Sequence, residues 1–387
     1  MTPESHFQEV RLFEFSTPPI NYSPGDVLTI LPRNPEEDVD ELIKIMKWED
    51  IANSVVHFVP KQPSGQDEQP VGAPPPLVLN EPTTLRSLIQ IHLDLNAIPR
   101  RSFFASLLHF TDDEMQKERL IDFTKPELVD ELYDYTTRPR RSILEVLQEF
   151  DTVKIPWKWA ASIFPHIRGR QFSIASGGSL KHGLDGRTRV QLLVAIVRYK
   201  TVIKKIRQGL CTRYLCGLKE GDHLQVALSK SGMQVALDKP ALMVGPGTGV
   251  APLRAMIHER AEVPGAHFHE PQLLFFGARN RSADYFFADE WRELVEKEPL
   301  EVHAAFSRDQ DSKIYVQDKI RQCAAAVHQL LQQDGVVYVC GSSGKMPQAV
   351  RTALTEVIEQ EGQMTRVEAE QFLASLEKSG RYQQETW

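Results

Sequence analysis

The 387-residue sequence predicts an α/β plus β protein, in which an antiparallel β-barrel with a helical insertion precedes a doubly wound parallel sheet. Three observations predict this fold. Strand-like alternation occurs near the N-terminus and again at 166–237, helical periodicity fills the stretch between, and strands alternate with helices from residue 240 onward. We therefore expect one domain over 1–237, interrupted by helices at about 36–155, and a second domain over 238–387.

The barrel is predicted from short strands separated by turns. "FQEVRLFEF" alternates apolar and polar residues, and "YSPGDVLTILP" is a Pro-Gly turn that runs into a strand. After the insertion, "RQFSIAS", "RVQLLVAIVRY" and "HLQVAL" have the pattern of further strands. Several short strands joined by turns are typical of a barrel or a sandwich.

The insertion is predicted to be helical because its apolar residues recur every three or four positions. It opens with "PEEDVDELIKIMKW", whose acidic residues suit the first turn of a helix. A proline-rich stretch follows at 60–82, for which we expect an extended loop. The remaining periodic segments are "TTLRSLIQIHLDL", "RSFFASLLHF", "KPELVDELYDY" and "RRSILEVLQEF".

The C-terminal part alternates strand and helix four times. "ALMVG", "QLLFFG", "EVHAAFS" and "GVVYVCG" are each followed by a helical pattern, which predicts a parallel sheet with helices on its faces. Ligands of such sheets bind at the carboxyl ends of the strands. The glycine loop after the first of these strands, "FSR" and "VCGSSG" all lie at such ends.

Composition narrows the class of protein. Acidic residues outnumber basic ones, 52 to 45, which argues against a nucleic-acid partner. There is no run of about 18 apolar residues and no apolar signal core, so we expect no membrane span. The cysteine pattern fits a reducing compartment, and we expect a cytoplasmic location. The cysteines have neither metal-ligand nor disulfide spacing, and no metal is expected. The abrupt strand-like start suggests a piece of a longer protein.

The stretch "LMVGPGTGVAP" holds three alternating glycines between a strand and a helix. Glycine lets the backbone approach a ligand closely, and the N-terminus of the following helix offers free N–H groups. Pro252 suits the first turn of that helix, where its missing N–H breaks no bond. The loop is neither a Walker A motif nor G-x-G-x-x-G. It predicts a pyrophosphate site or, alternatively, only a tight strand-to-helix turn.

A basic cluster follows a later strand, in "FSRDQDSKIYVQ". A guanidinium and an ammonium near a hydroxyl suit a ribose 2′-phosphate, although a solvated basic loop would have the same composition. Arg308 stands where an acidic residue would favour NAD, so the cluster favours NADP. The candidate residues are Ser307, Arg308, Lys313, Tyr315 and Gln317.

Five motifs in a fixed order carry a family resemblance. They are "RQFSIAS" at 170–176, "GLCTRYL" at 209–215, "GPGTGVAP", "YVCG" and a terminal aromatic residue. Their order and spacing resemble the ferredoxin–NADP reductase superfamily, and the helical insertion narrows the resemblance to the diflavin reductases. It covers nearly the whole chain. Within that family, the chain is most similar to the branch that serves cytosolic iron–sulfur protein assembly.

The resemblance implies FAD as a bound cofactor. Arg170 would pair with the FAD pyrophosphate, Phe172 would stack on the isoalloxazine, and Ser173 would hydrogen-bond near its hydride-accepting nitrogen. "GLCTRYL" would bring backbone N–H groups to the pyrophosphate, Tyr199 would lie near the adenine, and Arg140 would touch FAD from the insertion. The other implied FAD contacts are Gln171, Gly209, Leu210, Cys211 and Thr212.

The resemblance also implies NADPH. Gly247 and Thr248 would contact its pyrophosphate, while Ile314 and Val316 would join the basic cluster around the 2′-phosphate and adenine. The implied catalytic residues are Ser173, Cys340, Glu385 and Trp387. Cys340 would lie near the nicotinamide, and Trp387 would stack on the flavin until the nicotinamide displaces it. Glu385 stands where relatives often have an aspartate.

The implied activity is hydride transfer from NADPH to FAD. Single electrons would then pass to FMN on a flavodoxin-like domain, which is missing here, and on to a cytosolic iron–sulfur protein. One alternative is the reductase part of a haem monooxygenase or sulfite reductase system. Another is a non-catalytic nucleotide-binding scaffold, against which the joint presence of Ser173, Cys340 and Trp387 argues.

Overall fold

The computed structural model describes residues 1–57, 82–262 and 270–387, so the loop predicted at 60–82 lies, but for Pro82, outside the described residues. The chain forms two compact units. The first comprises Met1–Ile30, Gln171–Ile196 and Gln225–Trp387, and the second comprises Leu31–Arg170 and Val197–Leu224. Among the helices that the structure describes, none has both the length and the apolar composition needed to cross a bilayer.

The strands and helices are numbered in chain order. The strands are β1 (Val10–Thr17), β2 (Val27–Ile30), β3 (Val55–Val56), β4 (Thr83–Thr84), β5 (Arg170–Ser173), β6 (Thr188–Ala195), β7 (Arg198–Lys200), β8 (Ile206–Gln208), β9 (Val226–Ser229), β10 (Ala241–Pro246), β11 (Gln272–Ala278), β12 (Leu300–Phe306), β13 (Val336–Gly341) and β14 (Tyr382–Thr386). The helices are α1 (Glu36–Met46), α2 (Leu85–His92), α3 (Arg101–Leu107), α4 (Glu114–Asp122), α5 (Val129–Leu132), α6 (Ile143–Glu149), α7 (Ala160–Ile163), α8 (Leu210–Gly217), α9 (Val250–Glu262), α10 (Arg281–Asp284), α11 (Ala288–Lys297), α12 (Val316–Gln322), α13 (Ala324–Gln332), α14 (Met346–Glu361) and α15 (Arg366–Lys378).

A parallel sheet dominates the first unit. Its five strands lie in the order β12-β11-β10-β13-β14, and every neighbouring pair is parallel. Successive residues of β10 face opposite cores: Leu242 and Val244 pack with α12 to α15, whereas Ala241 and Met243 pack with α9 and α11. Burial on both faces explains the continuous apolar runs of these strands. The predicted parallel α/β domain is confirmed.

The fifth strand of this sheet, β14, was not predicted. It consists of the polar sequence "YQQET", which has no apolar run and lies at an edge of the sheet. It pairs with β13 in a register that sets Glu385 beside Cys340. Only this long-range pairing makes it a strand, and its consequence is to carry the last residues of the chain to the carboxyl end of the sheet.

The other described strands of the first unit form two further sheets. β1 pairs with β6 along its whole length, and β5, β2 and β9 form a three-stranded sheet. A single bridge between Ile174 and Leu192 links the end of β5 to β6. The strands are those that the alternation predicts. Among the pairings of the described residues, none closes these sheets, so closure into a barrel stays a prediction.

Helices form the second unit, as the periodicity predicts. The apolar faces of α1, α2, α3 and α6 pack into one core around Leu42, Ile89, Phe104 and Leu147. The helix α4 was missed because Leu120 is its one buried residue, which gives it almost no apolar periodicity. The hairpin β7–β8 and the helix α8 complete this unit.

Candidate functional site

The predicted dinucleotide residues of the first unit gather at one edge of the parallel sheet. Because all five strands run the same way, their carboxyl ends lie side by side. Arg308 follows β12, Gly247 follows β10, Cys340 lies near the end of β13, and Glu385 lies near the end of β14. Ligands of open α/β sheets bind outside these ends. The fold therefore aligns residues that are far apart in the sequence.

The glycines of the loop serve two different purposes. After β10, a 3-10 turn spans Gly247–Gly249, and α9 follows directly. A Cβ atom on Gly249 would lie 2.3 Å from the Cys340 carbonyl oxygen, and one on Gly245 would lie 2.8 Å from the carbonyl oxygen of Gly249. Both glycines are thus required for packing. Gly247 has φ +58° and open space where a Cβ would be, so a ligand can approach its backbone.

The start of α9 suits an anionic group. Thr248 is half-buried within the turn, next to the first N–H groups of the helix. Pro252 is the third residue of α9, where a missing N–H breaks no helical hydrogen bond. The partial positive charge of a helix N-terminus and the exposed backbone at Gly247 together fit a pyrophosphate.

The chain after β12 carries free positive charge. The Ser307 N–H donates to the Ala278 carbonyl at 3.0 Å, which holds this segment against the end of β11. Arg308 and Lys313 are exposed, and neither forms an ion pair within the ranges that the structure describes. Unpaired cations at the carboxyl end of a strand are available to a phosphate group.

The remaining residues predicted to contact the 2′-phosphate and adenine differ in exposure: some lie at the surface and others in the core. Tyr315 is 42% exposed, so its ring is open to a ligand. Val316 is buried and packs in the core with Ile320, and Ile314 packs against the same core. Of these two predicted contacts, Val316 has only its backbone available to a ligand, whereas Ile314 is half-buried. Gln317 is half-buried on α12.

Cys340 is fully buried in β13. Burial raises the pKa of its thiol well above the ordinary value, and the Glu385 carboxylate raises it further. The residue therefore remains a neutral thiol, which packs and donates weakly but does not act as a nucleophile. Its place beside the glycine loop is fixed by the close approach of Gly249.

Glu385 is held by a hydroxyl group that sequence reasoning missed. Ser231 Oγ accepts the N–H of Met233 at 2.9 Å, which turns its own proton toward Glu385 Oε2, 3.4 Å away. Burial raises the pKa of the Glu385 carboxyl, a shift that the Ser231 hydrogen bond reduces and the Asp26 carboxylate enlarges. Glu385 therefore keeps its proton to a higher pH than an exposed glutamate does.

The backbone of Trp387 is anchored although its side chain is not. Its N–H donates to the Gly341 carbonyl at 3.0 Å, and its carbonyl accepts the Ser343 N–H at 3.0 Å. The side chain is 52% exposed. Rotation about the side-chain bonds can therefore move the indole without breaking the pairing of β14.

The "RQFS" motif forms β5. Phe172 and Ser173 are half-buried, and Gln171 is exposed at a groove of about 530 Å³ that Ser231 and Glu385 also line. The structure thus brings one residue of the predicted FAD motif to the same groove as a predicted catalytic carboxyl. Among the hydrogen bonds of the described chain, none joins Ser173 to Cys340 or Glu385.

Two predicted FAD contacts meet in the second unit. Arg140 Nε donates to the Tyr199 hydroxyl at 3.0 Å, and Arg140 has a left-handed backbone with φ 55°. Close by in sequence, Gly209 precedes α8, and Thr212 Oγ1 accepts the Val197 N–H at 3.2 Å. The Thr212 hydroxyl is thus engaged within the fold, which leaves the backbone N–H groups of α8 for a ligand.

Arg170 and Cys211 illustrate the two kinds of residue in the predicted FAD set. Arg170 is exposed, so its guanidinium is accessible to a phosphate. Cys211 and its neighbour Leu210 are buried, and burial raises the pKa of the Cys211 thiol to about 12. These two side chains secure α8, and only their backbone can serve a cofactor.

Comparison with known families decides the identity. Residues 7–214, more than half of the chain, match the family model described as "FAD binding domain". The chain belongs to this FAD binding domain family. Residues 243–352 match the model described as "Oxidoreductase NAD-binding domain". These matches confirm the predicted order of an FAD-binding part followed by a nicotinamide-dinucleotide part.

Similar proteins share one name, "NADPH-dependent diflavin oxidoreductase 1". Those from Emericella nidulans, Schizosaccharomyces pombe and Saccharomyces cerevisiae are 50%, 39% and 37% identical to the chain, over 100%, 99% and 100% of its length. The chain spans 62%, 63% and 62% of the length of these relatives. The predicted resemblance to the diflavin reductases is confirmed.

In this FAD binding domain protein, a further arginine, Arg279, lies at the carboxyl ends of the parallel strands, where the predicted dinucleotide residues gather. Arg279 follows β11, whose end lies between the ends of β10 and β12. Its carbonyl accepts the Arg308 N–H at 2.9 Å, and its side chain is exposed. Sequence reasoning missed Arg279, although Arg281 follows it closely, because its position next to Arg308 follows only from the strand order.

Proposed function

We propose that the chain is the FAD- and NADPH-binding part of an NADPH-dependent diflavin oxidoreductase. The order of groups along the sheet edge carries this proposal. The candidate 2′-phosphate residues follow β12, the pyrophosphate loop follows β10, and Cys340 and Glu385 lie on β13 and β14. This is the order of 2′-phosphate, pyrophosphate and nicotinamide in NADPH. The four spacings between β12 and β14, each about 4.8 Å, give a sheet edge of about 19 Å along which NADPH would lie.

The residues present fit both cofactors. When bound, FAD would accept a hydride from NADPH and release electrons singly. The open backbone at Gly247 and the N-terminus of α9 would hold the NADPH pyrophosphate, while the unpaired Arg308 and Lys313 would bind its 2′-phosphate. In the second unit, Arg140, Tyr199 and the N-terminus of α8 would bind FAD.

The proposed catalytic residues act by packing and proton placement. Cys340 supplies a neutral, buried thiol that presents no negative charge to the nicotinamide. Glu385 holds a proton at Oε1 or Oε2 to an elevated pH, and Ser231 fixes its orientation. Trp387 would cover the flavin ring and leave it when nicotinamide binds. Phe172 and Ser173 would contact the same ring from β5.

We further propose that residues 1–237 form the FAD-binding domain, with a closed barrel and a helical insertion at about 36–155, and that 238–387 bind NADPH. The pairing of β1 with β6 and of β5 with β2 and β9 supports the barrel. Onward transfer would use FMN on a flavodoxin-like domain, and a cytosolic iron–sulfur protein would be the acceptor. The word "diflavin" in the relatives' name supports a second flavin.

Spectroscopy and turnover test the proposal. The purified chain should bind FAD, lose its flavin absorbance under anaerobic NADPH, and reduce ferricyanide with NADPH in preference to NADH. Loss of ferricyanide reduction in Arg308→Ala, with flavin content unchanged, would tie this activity to the sheet edge. A chain that binds no flavin, or one whose flavin NADPH does not bleach, would overturn the proposal in favour of a non-catalytic scaffold.

The onward acceptor needs a separate experiment. A flavodoxin-like domain carrying FMN is added, and NADPH-driven reduction of a cytosolic iron–sulfur protein is compared with that of cytochrome c. Faster reduction of the iron–sulfur protein supports the proposed acceptor. Reduction of a haem monooxygenase or a sulfite reductase haem subunit alone would replace it with one of the other diflavin systems.

A further inference from the structure

The segment before β1 contacts a turn of the dinucleotide site. We name the pair His6 and Phe7 the N-terminal clamp, since each contacts one residue of that turn. The guanidinium of Arg279 lies over the Phe7 ring, 3.1 Å from its centroid. His6 Nε2 lies 3.5 Å from Asp284 Oδ2. These contacts lie entirely within the first unit.

The guanidinium carbon of Arg279 lies over the Phe7 ring, where a cation is attracted to the ring face. A guanidinium has five N–H donors, and this contact uses none of them in a hydrogen bond to an oxygen or nitrogen atom. Within the described ranges, the side chain of Arg279 has the Phe7 ring as a neighbour but no ion pair and no hydrogen bond, whereas the Arg308 guanidinium donates to the Ser307 carbonyl at 3.3 Å. Arg279 is therefore held in place with all its donors unused.

His6 secures the backbone that carries this arginine. The Asp284 carboxylate accepts the N–H groups of Arg279 at 2.9 Å and Asn280 at 2.7 Å, which closes the turn after β11. The side chains of His6 and Asp284 are only 7% and 12% exposed, so this contact is largely shielded from solvent. The clamp thus fixes both the side chain and the main chain of Arg279.

The clamp also reaches Arg308. The Arg279 carbonyl accepts the Arg308 N–H at 2.9 Å, so any movement of the turn shifts the first predicted 2′-phosphate ligand as well. Two arginines that follow the adjacent strands β11 and β12 are thus linked through the backbone at the carboxyl ends of those strands. Two nearby cations suit a doubly charged phosphate better than a single cation does.

We propose that the N-terminal clamp positions Arg279 to bind the 2′-phosphate of an adenine dinucleotide. Phe7 and His6 are positioning residues, and Arg279 touches the ligand. This inference rests on the proposed NADPH function of the same site. It extends the recognition of the ligand to the segment that precedes β1, which lies far from the sheet edge in the sequence.

Isothermal titration calorimetry with 2′,5′-ADP and 5′-ADP tests the clamp on the FAD-loaded chain. Phe7→Ala should weaken 2′,5′-ADP by about two- to fivefold and leave 5′-ADP unchanged, because an exposed cation–π contact is lost. Phe7→Tyr should restore the wild-type affinity. Tyr133→Ala, which removes a similarly exposed ring from the second unit, is the matched control and should change neither affinity.

A double-mutant cycle separates positioning from general destabilisation. Phe7→Ala should have no effect on 2′,5′-ADP binding once Arg279 is alanine, since its influence passes through that side chain. An equal loss for both nucleotides, or the same loss in the Arg279→Ala background, would overturn the clamp. Failure of the wild-type chain to prefer 2′,5′-ADP would overturn the proposed NADPH function itself. A wild-type preference that Phe7→Ala leaves intact would overturn the clamp alone.

Discussion

Arg140 Nε and the Tyr199 hydroxyl form a hydrogen bond of 3.0 Å across 59 residues of sequence. The bond joins the turn before α6 to the hairpin β7–β8. Glu145 reinforces this junction through ion pairs with Lys205 and Arg207. Two residues that the family resemblance implies for FAD are thus held together by the fold before any cofactor binds.

Removal of the Tyr199 hydroxyl should weaken FAD binding. Tyr199→Phe deletes the acceptor that orients Arg140, and one hydrogen bond corresponds to about two- to tenfold in affinity. Fluorescence titration of the apoprotein with FAD measures the change. Arg138→Ala, which removes a nearby exposed arginine paired with Asp134, should leave FAD affinity unchanged. A loss in the control as large as in Tyr199→Phe would contradict the prediction.

Arg308→Ala should weaken NADPH far more than NADH. A charged hydrogen bond is worth about 1.5–3 kcal/mol, which corresponds to roughly ten- to over a hundredfold. Steady-state Michaelis constants for the two nucleotides measure the effect. Arg292→Ala, an exposed arginine on α11, is the control. Equal changes for NADPH and NADH would show that Arg308 does not recognise the 2′-phosphate.

Replacement of Trp387 by alanine should raise turnover with NADH. The anchored backbone keeps β14 paired, so the variant loses only the ring that nicotinamide must displace. Stacking of about 0.5–1.5 kcal/mol predicts an increase of about two- to tenfold. Trp159→Ala removes an equally exposed indole from the second unit and should have no effect. Unchanged NADH turnover in Trp387→Ala would remove the proposed role.

Replacement of Gly249 by alanine should lower fold stability, whereas replacement of Gly247 should lower NADPH affinity. A Cβ at 249 meets the Cys340 carbonyl at 2.3 Å, so Gly249→Ala should destabilise the first unit by at least about 1–3 kcal/mol. Gly247→Ala meets open space and should keep the fold while it weakens NADPH binding through the altered backbone. Thermal unfolding and nucleotide titration of both variants distinguish the two. Similar melting temperatures would contradict this division.

The Glu385 carboxyl should make stability depend on pH. Its raised pKa means that the folded state holds its proton more tightly than the unfolded state, so stability is lost as pH rises from 4.5 through the folded-state value. Glu385→Gln cannot ionise and should gain stability relative to wild type as pH rises. Thermal unfolding across this range measures the gain. Glu293→Gln, an exposed control, should run parallel to wild type at every pH.

Local patterns predicted the strands and the loops at their carboxyl ends. In each case an apolar run is followed by a residue that ends the strand, and both signals are local. The segments are "ALMVG" with its glycines, "FSR" and "YVCG". The packing role of Gly245 and Gly249 could not be predicted from the neighbouring sequence. It depends on the close approach of Cys340 and on the backbone path of the loop. The presence of glycines alone does not distinguish a loop that binds a ligand from one whose backbone packs closely against a neighbouring strand.

Residues brought together by the fold escaped prediction. Ser231 contacts Glu385 across 154 residues, and β14 becomes a strand only by pairing with β13. Arg279 has a basic neighbour in Arg281, but only the strand order places it between the glycine loop and Arg308. A single sequence contains no signal for such distant pairs, since each member alone is an ordinary polar residue.

Among the described strands, β12 and β14 lie at the two outer edges of the parallel sheet with three strands between them; Arg308 follows β12, and Glu385 lies on β14. Substitutions at Arg308 and Glu385 should therefore combine additively, as independent sites more than about 10 Å apart do. Under the proposed function, substitutions after β12 could change the preference for a phosphorylated donor without altering the residues on β14. Because of the same separation, residues at the two outer strands can be substituted independently during evolution, which residues of one compact pocket cannot.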